Sequence, residues 1–297
     1  MRKLILIALL PLLSSCIRLD SLVFIGDNTI TSYQFDKYEG EVEMEFPDNI
    51  TVPDSLIHLI TFESKMDNEE TGLVLYGEYI GDLSKVTSDT IILYCHGQTD
   101  HMDYYWHRTT LLGQLNKTNH IAVFTFDYRG YGLSEGATTE DGMYADVRGA
   151  LNWLKIQGVK SEQVIMYGFS LGSAPATDAA AYYEDLKPFK LILESPFASA
   201  DNLTQVSTII NTSAKYFLDM KIEVAEKIKE VDQPLFWMHG TMDDYINIEN
   251  GELVYRNHKG SYKEALRVEG AKHGSDGVPE TMGFEEYLAV VRSFILR

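Results

Sequence analysis

A chain of 297 residues, 45% of them hydrophobic and including 18 Tyr and 13 Phe, can bury a substantial core, which excludes a mainly disordered or low-complexity protein. Its 25 Lys and Arg against 44 Asp and Glu give a formal charge of −19, with no basic stripe to offset it locally. Such a surface repels nucleic acid and anionic lipid headgroups, so no nucleic-acid partner is expected.

The N-terminus reads differently from the rest. Arg2 and Lys3 precede an apolar run from Leu4 to Leu13 that is too short to span a bilayer and is followed by Ser14, Ser15 and Cys16. A basic start, a run of this length and small residues before a cleavage point describe a secretory signal peptide. The ending Leu13-Ser14-Ser15-Cys16 resembles the lipobox of bacterial lipoproteins, in which the cysteine is lipidated and becomes the new N-terminus. The resemblance implies a signal peptide over residues 1–15, export, and attachment to the membrane through lipidated Cys16, in the periplasm or at the cell surface. An ordinary signal peptide with a chance cysteine, or an uncleaved anchor, are the alternatives. If Cys16 carries lipid, the other cysteine, Cys95, has no disulfide partner, and its place in an apolar run suits a small buried hydrophobe.

Residues 16–32 lack periodicity and read as a tether to one domain spanning 33–297. Tyr33 to Phe46, Leu56 to Ser64 and Gly72 to Ile80 read as antiparallel strands, separated by Pro47-Asp48-Asn49 and by Asp67-Asn68-Glu69-Glu70. After Asp89 the pattern changes to short apolar strands alternating with helical stretches, as a mostly parallel sheet with crossover helices requires. The strands are Thr90 to Cys95, Ile121 to Phe126, Gln163 to Tyr167, Leu191 to Glu194, Leu235 to His239 and Ala265 to Val268. Between them, Glu140 to Gln157 sets Met143, Val147, Ala150, Leu151 and Leu154 on one helical face, and the last helix does the same with Phe284, Tyr287, Leu288, Val291, Phe294 and Ile295. The stretch 196–231 is the one insertion large enough to form a small cap.

The chemistry-bearing motifs fall just after strands, at the carboxyl edge where open α/β sheets place their sites. They are His96-Gly97-Gln98, the run Asp127 to Ser134, Gly168-Phe169-Ser170-Leu171-Gly172, His239-Gly240-Thr241-Met242-Asp243 and Gly270-Ala271-Lys272-His273-Gly274. The third is a G-x-S-x-G pattern between a strand and a small-residue helix, where a sharp turn lifts a serine hydroxyl above the sheet and leaves no room for side chains at the two glycines. Taken alone, it is equally a glycine-rich turn with a bystander serine.

Read together, these motifs supply serine, aspartate and histidine in that chain order, and the sequence from Tyr33 onward resembles the α/β-hydrolase superfamily, particularly its serine-aminopeptidase-like and monoacylglycerol-lipase-like branch. The resemblance implies an α/β-hydrolase fold: a mostly parallel central sheet with helices on both faces, antiparallel strands at the N-terminal edge, and the small cap. It implies Ser170 as nucleophile, His273 as base and Asp243 as its orienting acid, with backbone N–H groups of Gln98 and Leu171 as oxyanion hole. Two positions depart from the pattern: Asn247 stands where relatives often have proline, and a second acid, Asp244, follows Asp243.

The other polar candidates have blander readings. His96 and His239 read as residues that fix loops. His101 and His107 near Asp103 match no standard ligand spacing, so no metal or other cofactor is expected. Asp127 and Arg129 are expected to pair within their turn. Tyr104, Tyr105, Trp106, Tyr131 and Phe197 suggest a partly apolar acyl pocket, although such a cluster is more often plain core. The expected partner is a small-molecule acyl substrate, cleaved at an ester or thioester; a peptidase of the same fold and a lipid-anchored binding protein without turnover are the rivals. Oligomeric state is not legible.

Overall fold

The computed structural model describes residues 23–45, 47, 49–200 and 220–297. The leader 1–15, Cys16 and positions 201–219 of the expected cap lie outside the described residues.

In chain order the strands are β1 (Ile25–Gly26), β2 (Ile57–Ser64), β3 (Leu73–Ile80), β4 (Thr90–Cys95), β5 (Thr99–Asp100), β6 (Ile121–Phe126), β7 (Val164–Phe169), β8 (Lys190–Glu194), β9 (Leu235–Gly240) and β10 (Lys263–Val268). Eight of them form one sheet in the order β10-β9-β8-β7-β4-β6-β3-β2. Pairing is parallel from β10 through β6 and antiparallel where β3 meets β6 and β2 meets β3.

The strands after Asp89 are continuous apolar runs because the sheet is covered on both sides, so successive side chains enter two different cores. Ile91, Leu93 and Cys95 of β4 belong to one buried cluster, and Ile92 and Tyr94 to the other. The helices are α1 (Met102–Gly113), α2 (Asn116–Asn119), α3 (Glu140–Ile156), α4 (Ser173–Tyr182), α5 (Val224–Lys227), α6 (Ile248–Asn257), α7 (Val278–Met282) and α8 (Phe284–Leu296). Leu111 and Leu112 of α1 join Val291 and Phe294 of α8 in one cluster, while Val147 and Leu151 of α3 join Ala176 and Ala180 of α4 in the other. Thr139 starts α3 by accepting from Gly142 N at 3.0 Å, an N-cap bond that satisfies one of the helix's unpaired donors. Among the described residues no helix is long and apolar enough to cross a membrane.

The chain leaves β4 for β6 on one side and then crosses to β7 on the other. The loops after β4 and β7 therefore diverge, opening the crevice at which such sheets bind ligands.

Two expectations need correction. Tyr33 to Phe46 is no strand among its described residues: a single 3₁₀ turn, Phe35–Lys37, interrupts an irregular segment. Gln34 N and Phe35 N donate to the Asp103 carboxylate at 2.8 and 2.7 Å, so a side chain satisfies donors that a ladder would otherwise take. Residues 23–32, read as tether, lie against the domain. Ile25 and Gly26 pair in parallel with Thr99 and Asp100, Val23 is buried, and the absent side chain of Gly26 admits the Tyr131 ring. The expected cap over 196–231 is described only at its flanks, and these are core. Phe197, Ile222, Ile228 and Val231 are fully buried, and Ala225 N donates to Ala198 O at 2.9 Å.

Candidate active site

Strand β7 ends at Phe169, and Ser170 turns the chain with φ +51°, a left-handed conformation that costs a non-glycine residue roughly 1–2 kcal/mol. The turn is possible because the residues two positions to either side, Gly168 and Gly172, have no side chains. A Cβ on Gly172 would lie 1.9 Å from the Cys95 carbonyl oxygen, and one on Gly168 would lie 2.6 Å from Ser173 Cα. A 3₁₀ turn, Ser170–Gly172, leads directly into α4, so the hydroxyl sits at the start of a helix where developing negative charge is favoured.

The loops after β9 and β10 bring Asp243 and His273 to this hydroxyl. His273 Nε2 is 2.8 Å from Ser170 Oγ, and His273 Nδ1 is 2.8 Å from Asp243 Oδ2. Asp243 has a fully buried side chain, and its other oxygen accepts from Tyr245 N at 3.0 Å and Ile246 N at 2.7 Å. Burial pushes the Asp243 carboxyl up, but hydrogen bonds and charge from His239 and His273 outweigh it and leave the group below the usual carboxylate range. The imidazole of His273 is flanked by Phe169, stacked at 5.4 Å, and by Tyr245 at 5.0 Å. Asp244, one residue on, is exposed. The structure thus brings Ser170, His273 and Asp243 together and leaves Asp244 outside. An alcohol bonded to an imidazole whose far nitrogen meets an ionised carboxylate can pass its proton to the ring as it attacks an electrophile.

Gln98 and Leu171 stand on the two loops that frame the crevice. Gln98's carbonyl accepts from Ile25 N at 3.0 Å and from Tyr131 OH at 2.8 Å, which fixes its orientation, and its side-chain amide meets Tyr245 OH. His96 braces the same loop, with Nδ1 2.8 Å from Gly97 O and Nε2 3.3 Å from Asp127 Oδ1. Asp127 also accepts from Tyr33 OH at 2.6 Å.

Arg129 does not pair with Asp127. Its guanidinium goes to Asp146 and Glu69, each at 2.9 Å, and to Ser64 Oγ, so this arginine ties the motif's turn to β2 and α3 rather than to its own loop. His101 and His107 are not brought together around Asp103: the Asp103 carboxylate holds Gln34 N and Phe35 N, and His107 faces the Met44 carbonyl. The nearest approach to a ligand set among the described residues is Asp27, Asp100 and His101, with donor atoms within 4.8 Å of one another; His101 Nε2 is already 3.0 Å from Asp100 Oδ1.

A cavity of about 260 Å³ opens at Ser170 and His273, lined also by Glu43, Gln98, Tyr104, Tyr105, Phe169 and Tyr245. Of the expected aromatic lining, Tyr104 and Tyr105 are there. Trp106 lines a separate cavity, and Tyr131 and Phe197 are core. Sequence reasoning missed Glu43, Phe169 and Tyr245. The last two were within reach, being neighbours of Ser170 and Asp243 in the chain; nothing around Glu43 marks it. Glu43 and Glu194 share Arg108, at 3.4 and 2.9 Å, beneath Phe169, over whose ring the guanidinium carbon lies at 3.8 Å.

Comparison with known proteins agrees with this architecture. A family model described as alpha/beta hydrolase fold matches residues 90–196. Alpha/beta hydrolase domain-containing protein 17B of Homo sapiens is 32% identical over 176 residues, which cover 58% of this chain and 56% of that protein. The 17C protein of Xenopus tropicalis is 33% identical over 174 residues, covering 58% and 52%. The chain therefore spans about half the length of the curated relatives it matches. Among solved structures, an esterase of Pyrococcus furiosus superposes with TM-score 0.67 at 19% identity over 93% of this chain and 98% of that one. An esterase of Rhodococcus sp. does so with TM-score 0.55 at 15% identity over 81% and 98%. The chain has an α/β-hydrolase fold.

Proposed function

We propose that the protein is a serine hydrolase that cleaves a carboxylic ester or thioester through an acyl-enzyme intermediate. The observation that carries this reading is the unbroken contact chain from Ser170 Oγ through the His273 ring to buried Asp243, at a turn that a left-handed serine and two close-packed glycines create. His273 Nε2 takes the hydroxyl proton as Ser170 Oγ attacks the substrate carbonyl, while Asp243 holds the ring's tautomer and stabilises its cation. The oxyanion falls to the N–H groups of Leu171 and Gln98. Collapse expels the alcohol or thiol with the proton from His273, and water, activated by the same ring, releases the acid. The motif set is similar to the serine-aminopeptidase-like and monoacylglycerol-lipase-like branch, and the likeness in fold to two esterases favours ester chemistry over peptide cleavage.

A fluorophosphonate probe should label the native protein and leave Ser170→Ala blank, with turnover lower by about 10⁴ to 10⁶. p-Nitrophenyl esters, thioesters and aminoacyl anilides then rank the leaving groups. A labelled, active Ser170→Ala protein would overturn the assignment, and faster cleavage of anilides than esters would make the protein a peptidase. Export and anchoring through lipidated Cys16 belong to the same proposal. They predict that Cys16→Ser abolishes labelling by an alkyne fatty acid in cells, and persistent labelling would refute them.

A further inference from the structure

Glu43 is the part of the cavity that the proposed mechanism leaves unused. Its side chain is only 8% exposed, yet it lines the space that opens at Ser170 and His273. A carboxylate so buried needs compensation. Its cation, Arg108, stands 3.4 Å away and is shared, since the other arm of the guanidinium makes the closer pair with fully buried Glu194 at 2.9 Å. Two carboxylates on one guanidinium leave one of them short of compensation when both are ionised. Burial, helped by Glu194, outweighs Arg108, His273 and a hydrogen bond from Tyr104 and holds the Glu43 carboxyl above its ordinary value, so a cation beside it would restore its charge. An ionised carboxylate accepts about four hydrogen bonds, more than Arg108 and Tyr104 supply.

Four rings, Tyr104, Tyr105, Phe169 and Tyr245, also border the cavity, and Phe169 among them already holds the Arg108 guanidinium over its ring and stacks on His273. Ring faces carry partial negative charge, so rings combined with a carboxylate favour a cation and repel an anion. The volume of about 260 Å³ lies below the range of roughly 300–1,000 Å³ that holds drug-sized ligands, so the group taken in is compact.

We infer that this cavity selects substrates carrying an ammonium group within a few bonds of the scissile carbonyl, held by the Glu43 carboxylate and the surrounding rings. The inference rests on the proposed hydrolysis for its setting, but the two can fail separately.

Acetylthiocholine and S-(3,3-dimethylbutyl) thioacetate share an acyl group, a shape and a thiol readout, and differ in charge. The cationic ester should be preferred in kcat/KM by about tenfold or more, and Glu43→Gln should bring the ratio towards one. Choline and 3,3-dimethylbutan-1-ol, titrated into Ser170→Ala protein, report on the same cavity without turnover, and choline should bind tighter by a similar factor. The native pair decides the question even if Glu43→Gln does not fold. Equal or better use of the neutral ester, together with equal binding of the two alcohols, overturns the inference. Selective choline binding with no ester cleaved and no fluorophosphonate label would keep the cation site and remove the hydrolase reading.

Discussion

His239 and Asp243 are in contact: Nε2 of the histidine lies 3.2 Å from Oδ2 of the aspartate, the atom that also faces His273. The same His239 nitrogen is 2.8 Å from the Ile246 carbonyl, so one buried ring ties the acid to the loop that carries it. Under the proposed mechanism, a side chain outside the cavity lining thereby sets the position of the group that orients the base. His239→Leu should lower kcat by roughly ten- to a hundredfold with little change in KM, the scale of a small misplacement in a catalytic set. His239→Gln, which can still donate, should lose less. Equal losses in the two variants, or a change confined to KM, would remove this positioning role.

Asp243 and Asp244 are neighbours with opposite surroundings, one fully buried against His273 and the other exposed. Asp243→Asn should lose about 10⁴ in turnover, as in the comparable serine-protease triad, while Asp244→Asn should stay within about tenfold. Steady-state kinetics on one ester checks both, and the reverse ranking would transfer the role to Asp244.

Gly172 and Gly270 separate two reasons for glycine. A Cβ at Gly172 would meet the Cys95 backbone oxygen at 1.9 Å, whereas at Gly270 nothing lies within 4 Å and only the backbone, at φ +82°, resists substitution. Gly172→Ala should cost about 3 kcal/mol, because a strand carbonyl cannot give way, and Gly270→Ala about 1 kcal/mol. Urea midpoints measure both, and only the first should also lose fluorophosphonate labelling.

His258 links stability to pH. It is buried, its Nε2 donates to the Gln233 carbonyl at 2.9 Å, and burial lowers its pKa below the ordinary imidazole value. Between that lowered value and roughly 6.5, the unfolded chain binds a proton that the folded protein refuses, so stability is full above the window and falls as pH drops through it. The Asp243 carboxyl, depressed in the folded state, contributes its stability above roughly 3.9 and does not titrate in this range. Buried Glu78, whose carboxyl is pushed well above its ordinary value by burial, works in the opposite direction, so the His258 share is read as a difference: as pH drops from 8 to 5.5, the urea midpoint of the native protein should fall relative to that of His258→Gln. An equal change in both proteins would assign the dependence to another group.

The elements easiest to read were those whose environment is uniform. Val164 to Phe169 is apolar at every position because both faces of the sheet are covered, and Ser173 to Tyr182 is small-residued because α4 packs close to β7. Ser170, Asp243 and His273 could be named because each lies in a short motif just after a strand and the set of motifs resembles that of the α/β-hydrolases. What escaped was set by contacts between distant residues. Tyr33 to Phe46 has strand-like composition, but Asp103, 69 positions after Gln34, takes the donors that a ladder needs. Glu43 reaches the cavity from inside that misread segment. Arg129 leaves its own turn for Asp146 and Glu69, which no local pattern announces.

The pairing of Ile25 and Gly26 with Thr99 and Asp100 also fixes a length. Gln98 and Thr99 border the cavity, and Ile25 N is bonded directly to Gln98 O. From position 16 to position 23 the chain has seven peptide steps, at most about 25 Å when fully extended. A lipid on Cys16 would therefore keep the cavity within a short leash of the bilayer instead of on a long stalk. The protein would search a surface rather than a volume, meeting substrates at their density in the membrane plane. Lengthening positions 16–22 with a glycine-serine insert would then slow turnover of vesicle-borne esters and leave that of dissolved ones unchanged.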